Sequence, residues 1–178
     1  MTGKQLKQST LIASLLKPEA YSHPTTSFEL LETHISWVIL TGTYAYKIKK
    51  PVDFGFLDFS TLEKRQHYCE EELRLNHRLA PMLYLQVVPI GGSCKQPIVE
   101  GRGAAIEYAV KMHQFPQSAQ LDMQLDAGLL HEHDMEALAE TIAGYHRDAS
   151  VTAFVSSSEA LQLAKGPMMD NFAPIRSS

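Results

Sequence analysis

The sequence predicts an α+β fold: a five-stranded antiparallel sheet with one inserted helix, followed by a helical region. Three observations predict it. Alternating apolar runs, with the turn signal Thr41-Gly42 between two of them, fill residues 28 to 50, the signature of short antiparallel strands. A helix-start pattern opens at Ser60 and leads into helix-forming residues that stop before Pro81. Beyond Phe115-Pro116 the apolar spacing becomes helical. The architecture therefore changes near residue 113, which divides the chain into 1–112 and 113–178.

Leu6, Ile12, Leu15 and Leu16 lie on or near one helical face, and Pro18 closes this short N-terminal helix. Residues 17–27, with two prolines, read as a connector. Phe28 to Glu32, His34 to Leu40 and Tyr44 to Lys50 form three successive strands, the last stopped by Pro51. An aromatic-rich loop follows, in which Gly55 supplies a permissive backbone. Ser60 and Glu63 match a capping box. The helix they open runs to about Leu79, with Leu62, Cys69, Leu73 and Ala80 in its apolar stripe. Tyr84 to Ile90 and Ala104 to Met112 complete five strands, separated by Gly91-Gly92-Ser93 and a less regular stretch. Asp134 to Ala149 carries Met135, Leu138, Ile142 and Tyr145 at helical spacing, and Ser156 to Glu159 caps a further short helix through Lys165. The segments around Gly166-Pro167 and Pro174 read as weakly organised.

Composition narrows the function classes. Apolar residues make up 44% and charged residues 20% of the 178, ordinary for a folded protein. The formal net charge is -4 and the pI near 6.0, which argues against a phosphate-backbone footprint and so against nucleic acid. Cys69 and Cys94 stand apart with no Cys-x-x-Cys arrangement, so neither a disulfide framework nor a thiolate zinc site is indicated and a reduced cytoplasm is expected. No apolar run approaches the roughly 20 residues of a membrane span.

Function is suggested by the strand Tyr44 to Lys50. Phosphoryl transfer needs positive charge against phosphate oxygens, and a strand lysine supplies it when a carboxylate holds its ammonium in place. Alternation sets Lys47 and Lys49 on the face opposite Tyr46 and Ile48. Lys47, inside the strand, is the preferred phosphate ligand, whereas Lys49 and Lys50 approach its proline-limited end. The plainer reading is a solvent-facing edge whose lysines discourage strand addition. On the inserted helix Glu72 is the preferred partner, beside Leu73 and near the apolar boundary. Glu71 is the alternative, a solvated acidic face is a third reading, and helical phase does not separate them.

Three blocks, Tyr46 to Arg65, Cys69 to Asn76 and Leu83 to Ile90, closely resemble the front part of the aminoglycoside phosphotransferase-like family. More specifically the chain is similar to the bacterial branch whose kinase-like domain is sometimes joined to a P-loop ATPase domain. The resemblance runs from near the N-terminus to at least Ala173. It implies a protein-kinase-like N-lobe over 1–112, then a hinge and the first helices of an incomplete C-lobe over 113–178. It also implies that Lys47 contacts nucleotide phosphates and pairs with Glu72, and that Glu107 to Met112 with His113 to Pro116 are the last N-lobe strand and the hinge. Met112 and Phe115 would then line the base pocket, their plain reading being packing at a lobe junction. ATP and Mg2+ are the implied cofactors and a small hydroxyl-bearing molecule the acceptor; the family name does not imply an antibiotic.

Several departures weaken the likeness as regards catalysis. The glycine-rich phosphate loop of ordinary protein kinases is missing, since the first strand turn is only Thr33-His34 and the second has the single Gly42. His146-Arg147-Asp148 superficially matches a kinase catalytic loop but falls inside an amphipathic helix, with Ala153 where asparagine is expected. The family's catalytic loop and metal-binding aspartate would lie beyond Ser178, so this chain is expected to bind nucleotide and not to be catalytically competent alone. His113, His131 and His133 lack zinc-site spacing. The competing expectation is a noncatalytic interaction or self-association module that uses surfaces a C-lobe would cover.

Overall fold

The computed structural model of the chain describes residues 3–149 and 156–176. The chain divides into two compact units, Met1–Leu130 and His131–Ser178. The first contains helix α1 (Gly3–Leu15), strands β1 (Glu29–Glu32), β2 (Ser36–Leu40) and β3 (Tyr44–Lys49), helix α2 (Leu62–Asn76), strands β4 (Tyr84–Ser93), β5 (Gln96–Val99) and β6 (Glu107–His113), and a short helix α3 (Leu121–Asp126). The second contains α4 (Glu132–Asp148) and α5 (Ser157–Arg176).

All six strands join one antiparallel sheet in the order β1-β2-β3-β6-β4-β5. The two-residue period of the strands gives each sheet face its own core. On one face Ile39, Tyr46, Ile48, Val88, Ile90 and Ala109 pack with Leu11, Ile12 and Leu15 of α1. On the other Leu40, Ala45, Val110 and Met112 pack with Cys69 of α2. Tyr46 and Ile48 thus look toward α1, while Ala45, Lys47 and Lys49 look toward α2. Burial of aliphatic side chains this size contributes roughly 1.5–3 kcal/mol each, which anchors α1 through Leu11, Ile12 and Leu15, whereas α2 gives the buried core Cys69 alone and is joined to the sheet also by the ion pairs of Glu72 and Arg65.

Among the described residues the sheet has six strands where the sequence predicts five. Gly91 and Gly92 read as a break, yet β4 continues through both to Ser93, and β5 pairs back on it with Ile90 opposite Val99 and Ser93 opposite Gln96. Gly92 has φ +78°, and a Cβ there would lie 2.4 Å from the Gln96 carbonyl oxygen, so the glycine belongs to the hairpin itself. Pro97 also argues against a strand by sequence, but β5 is an edge, where a missing N–H is tolerated.

Other boundaries move for local reasons. Thr61, not Ser60, caps α2, accepting a hydrogen bond from the Lys64 amide at 3.3 Å. The Ser60 amide is already taken by Asp58 Oδ1 at 2.9 Å, which delays helix entry by one residue. At its other end α2 stops at Asn76 with His77 as cap. Strand β6 includes His113, because the His113 amide still donates to the Leu83 carbonyl at 2.9 Å. In the second unit His131 and Asp134 form the capping box of α4, and Ser156 Oγ accepts from the Glu159 amide at 3.2 Å at the start of α5. Helix α5 continues well past Lys165, through Gly166 and Pro167; the sequence predicts an end there because proline disfavours helix interiors by about 3 kcal/mol.

Candidate functional site

The lysines of β3 and one glutamate of α2 meet on the α2 face of the sheet. Lys47 Nζ donates to Glu72 Oε1 at 2.7 Å, and Lys49 Nζ donates to Glu72 Oε2 at 2.7 Å. The side chains of Glu72 and Lys49 are 12% and 7% exposed, that of Lys47 29%, so Lys47 is the member open to solvent. Burial alone would raise the Glu72 pKa, but the hydrogen bonds and charges of the two lysines outweigh it and hold the carboxyl below its usual range. Cys69, one turn earlier on α2, is fully buried beneath this fork, and burial pushes its thiol up to about 12, which leaves it a packing residue. Burial, with the charge of Glu72 as the second cause, also raises the Tyr84 phenol.

Glu71 points elsewhere: Arg74 Nη2 donates to its Oε2 at 2.7 Å on the exposed side of α2. Helix rotation explains the choice. Glu72 follows the buried Cys69 by three residues and shares its face, whereas Glu71 does not. Lys50, next to the fork in sequence, pairs instead with Glu32 at 2.5 Å and lies over the Trp37 ring at 5.1 Å.

Met112, His113 and Phe115 come together with Leu31, Val38, Leu40, Ala45 and Leu83 around a small recess of about 130 Å³. Met112 is buried, His113 exposed and Phe115 42% exposed. The segment leaving β6 is tied to the β2–β3 turn: Gln114 Oε1 accepts from the Gly42 amide at 2.8 Å, and the Gln114 amide donates to Thr43 O at 3.0 Å. Lys47 and Glu72 do not line the recess. They lie farther along the same face, since Ala45 is opposite Met112 and Lys47 opposite Val110 in the β3–β6 register; two residues of strand span roughly 7 Å.

A second polar cluster was not legible in the sequence. Arg65 of α2 donates from Nε to both oxygens of Glu107, at 2.8 and 3.0 Å, and from Nη1 to the Phe59 carbonyl at 3.0 Å. Gln8 of α1 completes it, its Nε2 donating to Glu107 Oε2 at 3.1 Å and to the Lys49 carbonyl at 3.2 Å. Glu107 is 2% exposed. The one available signal is a glutamate that opens a strand beside the apolar Tyr108, Ala109 and Val110, and its partner lies 42 residues away on another element. A cavity of about 460 Å³ abuts this cluster, lined also by Leu11, Pro51 and Cys94.

His146, Arg147 and Asp148 lie in the last turn of α4, and Ala153 lies outside the described residues. Among the described residues no three His, Cys, Asp or Glu side chains gather as a metal would require, and no helix is long and apolar enough to cross a membrane.

Comparison with known proteins finds three relatives, each called an uncharacterized protein, one from Mycobacterium bovis and two from strains of Mycobacterium tuberculosis; each is 30% identical over 158 residues. The match covers 87% of this chain and 30% of each relative, so the chain spans under a third of the length of the curated relatives it matches. No family model matches the chain, and no solved structure matches it.

Proposed function

We propose that the Met1–Leu130 unit is a kinase-like nucleotide-binding lobe, part of a cytoplasmic ATP-dependent small-molecule phosphotransferase-like protein of the aminoglycoside phosphotransferase-like kind. The observation that carries this reading is one face of β3: Ala45 borders an apolar recess and, two residues on, Lys47 is held by Glu72. The recess is smaller than the roughly 300 Å³ at which ligand pockets begin, so it would cover one face of a planar base, with Met112 and Phe115 against the ring and His113 at its rim. Lys47 would meet the phosphates as a point charge. Glu72 holds that ammonium in place, so less of its side-chain freedom is lost when the ligand arrives.

Magnesium, implied by the likeness, finds no ligand set of three His, Cys, Asp or Glu side chains among the described residues. The part this unit plays is binding and orientation; transfer to a hydroxyl acceptor would fall to groups other than those described.

Calorimetry with Mg-ATP tests the reading. Hydrogen bonds to charged groups contribute about 1.5–3 kcal/mol, so saturable binding should weaken roughly tenfold to a hundredfold in Lys47→Ala. Folded protein that takes up no Mg-ATP would refute it. A second reading, a self-association module, is favoured by a different observation: Met135, Leu138 and Ile142 form a stripe on α4 that is 42–43% exposed.

A further inference from the structure

We infer that Lys49 is a positioning residue that shares Glu72 with Lys47, so that the site keeps a net positive charge toward a polyphosphate anion while Lys47 alone faces the ligand. The inference rests on the nucleotide-lobe reading for its ligand class and goes beyond it in assigning the second lysine. One lysine against one glutamate is a neutral pair with little net attraction for an anion. Here each carboxylate oxygen has its own ammonium at 2.7 Å, which leaves one positive charge in excess. Since Lys49 satisfies Oε2, Lys47 can turn an N–H toward a phosphate oxygen without leaving Glu72 buried and unpaired.

Lys49 is fixed more firmly than Lys47. Its ammonium lies 4.9 Å from the Phe59 ring centroid, a cation–π distance, and its carbonyl accepts from Gln8 Nε2. A lysine whose only task was to blunt a sheet edge would reach solvent, and at 7% exposure Lys49 does not. Desolvating an ammonium is costly, and an apolar side chain of similar length would pack there without that cost. What the ammonium adds at this position is charge and a hold on Glu72.

The test is calorimetry of the whole chain with inorganic tripolyphosphate and with Mg-ATP, on the wild type, Lys49→Met, the double variant Lys49→Met/Glu72→Gln, and Lys50→Met. Loss of the excess charge should weaken tripolyphosphate binding about tenfold in Lys49→Met. The double variant, in which Lys47 again stands as an unneutralised charge, should return to within about threefold of wild type, while Lys50→Met, altered outside the fork, should stay within about twofold. A merely structural Lys49 gives the opposite order, with the double variant no better than the single; that result, or an unchanged Lys49→Met, overturns the inference. Wild type that binds tripolyphosphate but not ATP, with the expected variant order, keeps the inference and removes the nucleotide reading. ATP binding indifferent to Lys49 does the reverse, and binding of neither anion removes both. If Lys49→Met does not fold, lysine Cε resonances of wild-type protein titrated with tripolyphosphate decide instead: the larger shift belongs to Lys47, and a larger shift at Lys49 overturns the assignment.

Discussion

Glu72 titrates against two opposed influences: burial favours its neutral form, and two ammonium groups favour its charge. The ammonium groups prevail, so the folded-state pKa lies below the ordinary 4.5. A carboxyl depressed by folding stabilises the protein fully at pH values above its unfolded pKa, and the contribution is lost as pH falls through the folded value. Thermal unfolding should therefore show Glu72→Gln less stable than wild type at neutral pH, by about 3 kcal/mol for a broken buried pair. The gap should close as the pH drops below 4.5. A gap that persists unchanged into acid would show that the carboxylate charge is not what the fork uses.

Among the elements, the β2–β3 turn is the most tightly specified. Gly42 has φ +94°, and a Cβ there would lie 1.9 Å from Thr26 Oγ1, so both backbone geometry and space demand glycine. Gly42→Ala should cost about 1–3 kcal/mol, read as a lowered denaturation midpoint in urea. Because the Gly42 amide also holds Gln114, the same variant should loosen the segment after β6, seen as faster amide exchange at Gln114. Much at this scale was legible. The alternation of Tyr46 and Ile48 against Lys47 and Lys49 follows from strand geometry, and Pro51 ends the strand as expected. Strand β5 was not legible, because Gly92 and Pro97 are strand breakers whose tolerance depends on a hairpin and an exposed edge that exist only once the sheet has formed.

At the scale of the whole molecule, each face of the sheet has its own helix, and the buried Arg65–Glu107–Gln8 cluster links α1, α2 and β6 through one set of hydrogen bonds. The same Gln8 reaches the backbone of Lys49, so the packing of α1 and the position of the fork are joined. In the second unit, the stripe of Met135, Leu138 and Ile142 gives α4 an apolar side that remains open among the described residues. If self-association uses it, sedimentation should show a mass that rises with concentration, and Leu138→Glu should return the chain to monomer at all concentrations. A single monomer mass in wild type would remove that reading and leave the nucleotide-binding proposal untouched.

The sequence by itself determined the periods: which strand residues share a face, where glycine and proline punctuate the chain, and that lysines on a strand precede a glutamate-rich helix. These follow from local geometry, which a window of a few residues contains. The tertiary structure decided the pairings. Successive residues of a helix are turned about 100° from one another, so Glu71 and Glu72 are separated only by the rotation of α2. That rotation is set by Cys69 packing into the core beside Val110 and Met112. Lys49 joined Lys47 on Glu72 for the same reason: a carboxylate has two oxygens, and only the docking of α2 on the sheet placed both within reach of β3.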